Sequence, residues 1–478
     1  MSAAAPARRV VVVGGGISGL AAAHRVTEIA KEKGLRLHVT VLEGAGRLGG
    51  AIATHKRDGF LLEEGPDAIL TEKSWAVDLS RRLGIERRIV GTIPDYRRSF
   101  VVRAGRLHAT PEGFYLLAPS KFGPMVRTPI FSLLGKARMA CDLFLPRRRK
   151  QTDESLAGFV RRRLGREALE RMAQPMIAGI YGADPEKLSL LATFPRFHKL
   201  EAEHGSVIRG LLASARRQQH TAGGGETGAS GPRYSLFVSF DGGLQVLIDA
   251  LVASLPAETC RTGTEVDAIY PAVGGGWRLR SQGRDEQADA LILAVPTHRA
   301  AELIGPFDAR LGKRLEEIRY GYAATVCLAY RAEQIEHAMD GAGFVLPAIE
   351  KFQVLGCTFG HRKFPGRVPA GHVMLRAFHG EAARPMSDED LVASTHRELD
   401  RLLTIRGAPL FSQIARWPHS MPHYEVGHLE RVDAIWEALS AHRAIGLAGN
   451  GYRGIGIPDC VRSGEQAAEA VLARLGAA

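Results

Sequence analysis

Arg9-Val10-Val11-Val12-Val13-Gly14-Gly15-Gly16-Ile17-Ser18-Gly19-Leu20 decides how the rest of the chain is read. Four consecutive valines suit a parallel strand buried on both faces, and glycines follow without a spacer. Gly14, Gly16 and Gly19 stand at G-x-G-x-x-G spacing. In that pattern the first glycine permits a tight turn and the second lets backbone approach a pyrophosphate. The third lets helix and strand pack closely. A helix opening at Ile17 or Ser18 turns unpaired N–H groups and the positive end of its dipole toward the phosphates.

The residues that follow make the motif part of a larger unit. A helical pattern runs from Leu20 through Ile29 and stops at Gly34. Leu35, Leu37, Val39 and Val41 then alternate with Arg36, His38 and Thr40, a strand of period two. That strand ends at Glu43, 24 residues past Gly19, where a Rossmann-type unit places the acid that accepts hydrogen bonds from a ribose. An acid there disfavours a 2′-phosphate. The competing reading is a glycine turn in an α/β protein that binds no phosphate.

Length and composition narrow the classes. A chain of 478 residues can bury a large core and form two or three lobes. Its 45% apolar and 24% charged content is ordinary for a globular protein. The net charge of +12 suits nucleic acid, an anionic membrane surface or an acidic small molecule. No basic run is interleaved with aromatics, and Pro146 to Lys150 reads as a solvated turn, so nucleic acid is not an expected partner. Cys141, Cys260, Cys327, Cys357 and Cys460 are scattered, as are the 17 histidines, so neither a metal site nor a disulfide framework is expected. That usage fits a reducing cytoplasm. Arg8-Arg9 before an apolar run mimics a signal peptide, but the glycine motif occupies that run. No stretch offers the roughly 18 apolar residues of a spanning helix.

A second glycine turn, Arg47-Leu48-Gly49-Gly50, follows Glu43 and brings a cation toward the phosphates. E-x-x-x-R-x-G-G after such a fingerprint resembles the FAD enzymes of the amine oxidase and phytoene desaturase superfamily. The resemblance implies FAD as cofactor, with the arginine and glycine pair lining its pyrophosphate. Phe60 to Glu63 reads as a strand running into a turn at Gly65-Pro66-Asp67-Ala68, which in that superfamily passes near the flavin ring.

Farther along, residues 94–217 carry arginine-rich helical patterns, one of them N-capped by Asp153 and stopped by Gly165. Thr221 to Gly231 reads as a flexible loop. Sheet patterns resume with a helix after Asp241-Gly242-Gly243, a short strand at Val266 and a buried strand from Ala288 to Pro296. Strands at Ala323 to Tyr330, Gly343 to Pro347 and His372 to Phe378 suggest a second sheet, and the chain returns at Leu447 to Asn450 before a last helix. The expected fold class is α/β: a discontinuous Rossmann-type FAD-binding domain (1–92, 236–305, 430–478), a mixed-sheet substrate domain (306–429) and a helical insert (93–235). Contact of that insert with a membrane is left open.

Residues 176–195 (MIAGIYGADPEKLSLLATFP), Ser239 to Ala250 (SFDGGLQVLIDA), Pro422 to His428 and Gly454 to Cys460 resemble the oxygen-dependent porphyrinogen oxidases of haem synthesis. The resemblance covers nearly the whole chain. It implies a tetrapyrrole substrate, FAD and molecular oxygen, with six electrons removed over three flavin cycles and hydrogen peroxide released. Because flavin N5 accepts hydride directly, no side chain is expected to serve as nucleophile or metal ligand. The implied cofactor residues are Gly14, Gly15, Gly16, Ile17, Ser18, Gly19, Glu43, Gly44, Arg47, Gly49, Gly50, Ile52, Gly65, Pro66, Asp67 and Ala68. Val266, through its backbone to adenine, Trp417, and Ile455, Gly456 and Ile457 beside the isoalloxazine complete the set. For substrate, Gly179 resembles the glycine whose carbonyl faces the tetrapyrrole, and Phe344, Leu346, Leu355 and Phe378 are candidates for an apolar slot.

Propionate recognition divides two readings. Mitochondrial-type members carry an arginine clamp on the strand before Leu107-His108-Ala109-Thr110-Pro111, whereas this chain has Ser99 there, with Arg97 and Arg98 upstream. That departure, and Gly456-Ile457-Pro458-Asp459-Cys460, favour coproporphyrinogen III over protoporphyrinogen IX. Lys73 stands where the coproporphyrinogen enzymes place a lysine near a propionate. Another amine oxidase or carotenoid desaturase activity, or a non-catalytic flavoprotein, are the competing classes. Monomer and homodimer both remain open, as does a peripheral position at the inner face of the cell membrane.

Overall fold

The computed structural model describes residues 7–115, 117–119, 121–148, 150, 152–221 and 236–476. The valine run forms the strand Arg8–Val13, which pairs in parallel with Leu37–Leu42 on one side and Ala290–Leu293 on the other. Cys260–Arg261 and Ile445–Leu447 add the outer parallel strands, so five strands drawn from three distant stretches make one sheet. Period-two alternation explains the valines. Val10 and Val12 face a core built with the helix Ile17–Lys33, the helix Gln245–Ser254 and the C-terminal helix Ile457–Arg474. Val11 and Val13 face the antiparallel strands Val266–Pro271 and Trp277–Ser281 and the helices Thr297–Ile304 and His428–Leu439. Gly34, left-handed at φ 64°, ends the first helix.

The second sheet has seven strands in the order Phe411–Pro422, Tyr320–Arg331, His372–His379, Gly356–Phe359, Gly343–Val345, Ser99–Arg103, Arg106–Ala109. All neighbours are antiparallel except Gly343–Val345 with Ser99–Arg103. One face, carrying Ala324, Val326, Leu328, Leu375 and Ala377, packs on Leu391, Leu399 and Leu403 of the helix Asp388–Leu403. The other face meets the turn after Phe60–Glu63.

Two strands of this sheet fall inside the stretch 93–235 expected to be a helical insert. Ala104 (φ 50°) and Gly105 (φ 70°) form a two-residue hairpin loop with both dihedrals positive, whose twist matches the flanking strands. The register then buries Phe100, Val101 and Val102 on both faces. Phe114–Tyr115 and Ala118–Pro119 pair as a further short antiparallel sheet, and the helices of the stretch include Leu133–Ala140, Leu156–Arg163, Gln174–Tyr181, Pro195–His204 and Val207–Thr221. Residues 222–231, read as a flexible loop, lie outside the described residues. The N-cap of Leu156–Arg163 is Ser155, whose hydroxyl accepts from Gly158 N at 3.1 Å, rather than Asp153. Asp153 instead accepts from Ser189 Oγ at 2.6 Å and Leu191 N at 3.2 Å, pinning a neighbouring helix. No helix among the described residues is long and apolar enough to cross a membrane.

A fully buried ion pair ties the helical part together. Arg163 and Asp142 are both 0% exposed. Arg163 Nε donates to Asp142 Oδ1 at 2.5 Å, and its terminal nitrogens donate to the carbonyls of Asp142, Leu145, Pro146 and Gly205. Asp142 Oδ2 also accepts from Ser206 Oγ and Ile208 N. Asp142→Ala leaves the guanidinium buried without its counter-charge and is expected to cost about 3–5 kcal/mol of local stability. Amide exchange in Leu156–Arg163 and Val207–Thr221 should then quicken accordingly, while that of Arg8–Val13 stays unchanged.

Candidate functional site

The glycines of the first turn differ in what excludes a side chain. A Cβ on Gly14, at φ +106°, would lie 2.5 Å from the Ala294 carbonyl oxygen, and one on Gly19 would lie 1.9 Å from that of Gly14. Both are therefore fixed by the packing of strand, helix and neighbouring strand. At Gly16 the nearest atom is Gly50 Cα at 4.0 Å. The protein's own packing leaves that position open, which is what a backbone cradle for a bound diphosphate requires. Gly16 is the N-cap of the first helix, with no side chain capping it and no acid in the first turn.

The second turn is joined to the first through backbone. Gly49 N donates to the Gly15 carbonyl at 2.8 Å, and Gly16 and Gly49 form a parallel bridge. Arg47 folds over this junction, donating to the carbonyls of Gly50 at 2.7 Å and Ile52 at 3.1 Å. The Ile52 side chain is 2% exposed and lies in the core, so only its backbone is available to the site. Glu43 Oε2 accepts from Gly15 N at 2.7 Å, which sets the carboxylate at the mouth of the first turn. A Cβ on Gly44 would be 3.4 Å from the Glu265 side chain. Val266 is buried, and its carbonyl accepts from Arg299 at 2.9 Å.

The third turn nests against the second: a Cβ on Gly65 would be 1.9 Å from the Ala51 carbonyl oxygen. The second sheet docks here through side-chain donors. Trp417 Nε1 and Thr325 Oγ1 donate to the Glu64 carbonyl at 3.2 and 2.9 Å, and Arg376 donates to that of Gly65. Asp67, beyond Pro66 and before the half-buried Ala68, accepts from Lys363 Nζ at 2.7 and 2.8 Å. Burial alone would raise the Asp67 carboxyl, but Lys363 and Arg376 outweigh it and hold it at about 2.

The last wall is the return segment. The C-terminal helix runs alongside the first helix, with Gly464 against Ser18, where a Cβ would be 2.1 Å from the Ser18 carbonyl oxygen. Arg25 meets Glu469 farther along both, so the two helices are parallel. Ile457, seven residues before Gly464, therefore stands about 10 Å ahead of Ser18 at 1.5 Å per residue. Gly456 is the uncapped N-cap there, and Ile455 packs on the helical part.

The residues proposed for substrate separate. Gly179 is exposed on Gln174–Tyr181, with open space where its side chain would be. Phe378 is half-buried on the sheet face that meets the third turn, with the Arg376 guanidinium 4.8 Å from its ring. Leu355 is also half-buried, 3.3 Å from the position of a Gly380 Cβ. Phe344 and Leu346, by contrast, belong to the core beneath Asp388–Leu403, because strand alternation turns them to the other face. They line no slot on the side of the glycine turns. Lys73 does not stand free for a propionate: its Nζ contacts both oxygens of Asp459 at 2.6 and 2.8 Å. Arg98 pairs with Asp340 at 3.1 Å, and Arg97 is exposed and unpaired among the described residues. Lys363, Arg376, Thr325 and Asp459 were not anticipated. Arg376 alone carried a signal, a charge inside the otherwise apolar run Val373–Phe378.

A family model described as flavin containing amine oxidoreductase matches residues 17–472. The chain is 34% identical over 474 residues to coproporphyrinogen III oxidase of Bacillus subtilis (strain 168), covering 98% of both chains. It is 30% identical to protoporphyrinogen oxidase 1, chloroplastic, of Spinacia oleracea, covering 96% of this chain and 84% of that one. A crystal structure from Exiguobacterium sp. 255-15 superposes with a TM-score of 0.84 at 30% identity, over 98% of this chain and 99% of that chain. The chain belongs to the flavin-containing amine oxidoreductase family, on the branch that holds these porphyrinogen oxidases, and is an FAD-dependent oxidoreductase.

Proposed function

We propose that the protein oxidises coproporphyrinogen III to coproporphyrin III, with molecular oxygen as final acceptor and hydrogen peroxide as by-product. The observation that carries the substrate is the end-to-end likeness to the Bacillus subtilis enzyme, 34% over 98% of both chains. Ser99, in place of an arginine clamp, supports it. Bound FAD supplies the chemistry: it accepts hydride from a meso carbon and returns electrons to oxygen.

The chain's own residues bind and orient. Gly14 to Gly19 and Arg47 to Gly50 hold the diphosphate, Glu43 takes the ribose hydroxyls, and Gly44 and Val266 border the adenosine. The turn Gly65 to Ala68, Trp417 and Ile455 to Ile457 border the ring. The substrate lies between the ring and Gly179, with Leu355 and Phe378 as apolar contacts, and Arg97 attracts its carboxylates. A net charge of +12 draws a tetra-anionic tetrapyrrole toward the site. We assign 1–92, 236–305 and 430–478 to the cofactor. The substrate part is 306–429 with the strands Ser99–Arg103 and Arg106–Ala109, and the rest of 93–235 forms a helical cover. The five free cysteines suit a reducing cytoplasm.

Anaerobic mixing of the FAD-loaded protein with coproporphyrinogen III should bleach the flavin, and admitting oxygen should yield a fluorescent porphyrin and peroxide. Faster bleaching by protoporphyrinogen IX would transfer the assignment to that substrate, and bleaching by neither would remove it. Gly16→Ala should fold with a melting temperature near that of the parent yet lose FAD affinity by about tenfold or more, since its methyl group meets only the cofactor's space. Gly19→Ala should instead fail to fold, which soluble yield and circular dichroism would report. Arg97→Ala should raise KM for the tetracarboxylate while leaving kcat nearly unchanged, in steady-state peroxide assays.

A further inference from the structure

Pro422 to His428 joins the edge strand Phe411–Pro422 to the helix His428–Leu439, and three parts of the molecule meet on it. Its backbone holds the helical cover. Glu425 forms an antiparallel bridge with Leu188, Ser189 N donates to the Tyr424 carbonyl at 2.7 Å, and Val426 N donates to the Lys187 carbonyl at 2.9 Å. These partners follow the helix Gln174–Tyr181, which carries Gly179. Where that helix ends, a Cβ on Gly182 would lie 4.0 Å from Met421.

The side chains of the same stretch hold the return segment. Tyr424 Oη donates to the Asn450 carbonyl at 2.5 Å and accepts from Gly454 N at 2.7 Å, so one hydroxyl closes the loop 450–454 at both ends. His428 Nε2 donates to the carbonyl of Tyr452, midway along that loop, at 2.7 Å. The two rings stack with centroids 3.9 Å apart, and both residues are buried. Burial lifts the Tyr424 hydroxyl well above its ordinary range and lowers His428 to about 4. The hydroxyl therefore keeps its proton, and the neutral imidazole carries its own on Nε2, facing the carbonyl. The loop runs straight into Ile455, Gly456 and Ile457.

A tetrapyrrole between Gly179 and the flavin ring meets two walls that come from different parts of the chain. Tyr424 touches the support of each, the cover through its carbonyl and the return segment through its hydroxyl. We propose that Tyr424 and His428 are positioning residues for hydride transfer: they set Ile455 to Ile457 against the ring and fix that wall's distance from Gly179. The inference rests on the proposed places of the ring beside Ile455 to Ile457 and of the substrate beside Gly179. Each two-electron step moves a hydride from a meso carbon to the flavin and a pyrrole N–H proton to water, and oxygen takes the electrons on as peroxide. The hydride crosses a gap of one contact distance, so a shift of about 1 Å in either wall can slow the step by about a hundredfold.

The test compares FAD-loaded parent, Tyr424→Phe, His428→Gln and His428→Leu by anaerobic bleaching with coproporphyrinogen III. A second readout is the visible circular dichroism of the bound flavin, which reports what surrounds the ring. Tyr424→Phe keeps the stacked ring and loses both hydrogen bonds. It should bleach about tenfold or more slowly at saturation, per bound FAD, with half-saturation within about twofold of the parent. His428→Leu should slow likewise, and His428→Gln, which keeps a donor for the Tyr452 carbonyl, should recover most of that loss. A merely structural role would lower the melting temperature and leave the rate per bound FAD unchanged, and that result in a folded Tyr424→Phe overturns the proposal. A raised half-saturation at the parent's limiting rate also overturns it. A folded Tyr424→Phe that takes up no FAD supports it. Should Tyr424→Phe not fold, slower bleaching in His428→Leu with recovery in His428→Gln supports the proposal, and the parent rate in His428→Leu overturns it. If neither coproporphyrinogen III nor protoporphyrinogen IX bleaches the parent, the substrate assignment fails by itself and the dichroism decides. Altered flavin bands in Tyr424→Phe then support the positioning of the wall, and parent bands overturn it.

Discussion

The hydrogen bond from Gly49 N to the Gly15 carbonyl, 2.8 Å long, brings two turns together backbone on backbone. Everything at the site is built outward from this contact. A side chain at Gly50 would come within 3.3 Å of Gly16 Cα, and one at Gly49 within 2.7 Å of the Ile52 carbonyl oxygen. The third turn repeats the device at Gly65 against Ala51. Three turns thus stack with almost no side chain between them, and the third leaves the Glu64 and Gly65 carbonyls facing the second sheet. The second sheet attaches to those carbonyls through Thr325, Trp417 and Arg376. Its position relative to the first sheet is therefore set by the glycines.

Buried arginines recur where irregular backbone enters the interior. Arg163 meets four carbonyls besides the Asp142 carboxylate, and Arg367 meets Ser239 and the Phe240 carbonyl besides Glu63. Such pairs are poor sources of net stability, since desolvating both charges offsets most of their attraction. Their use here is geometric. A turn buried against another turn has carbonyls that no helix or sheet satisfies, and a guanidinium presents several donors in one plane. An apolar side chain of equal volume would fill the space and leave those carbonyls unmet.

What could be read from the sequence follows the range of the interaction that fixes each feature. The cradle was legible because strand, turn, helix and acid all lie within the first 50 residues, and each glycine obeys a local steric rule. The phase of the second sheet was not. Phe344 and Phe378 both sit in apolar strands buried on each side, so alternation alone cannot tell which face either takes. The strand at Ser99 was hidden for a related reason: a five-residue strand, Ser99–Arg103, and a hairpin with Ala at its first loop position resemble a break between helices. Lys73 finds its partner 386 residues away, where no pattern near the lysine could point to it. Asp153 shows the converse error, a residue of the right type for a cap drawn off by a partner from another helix.

The order of the segments explains why none of these misreadings falls on a strand of the first sheet. The first sheet takes strands near residues 8, 37, 260, 290 and 445 and is covered by a helix that ends at Arg474. The helical cover and the second sheet are long excursions between those strands, and the cost of closing such loops grows only slowly with their length. The cradle is indifferent to what the excursions contain, provided each returns its strand in register. Completion is another matter: the wall at Gly456 and the helix packed on Ser18 arrive with the final residues. A cofactor that spans the first turn and that wall gains its full set of contacts only once the last segment is in place. Its binding energy then favours the fully assembled chain over every shorter or partly docked one.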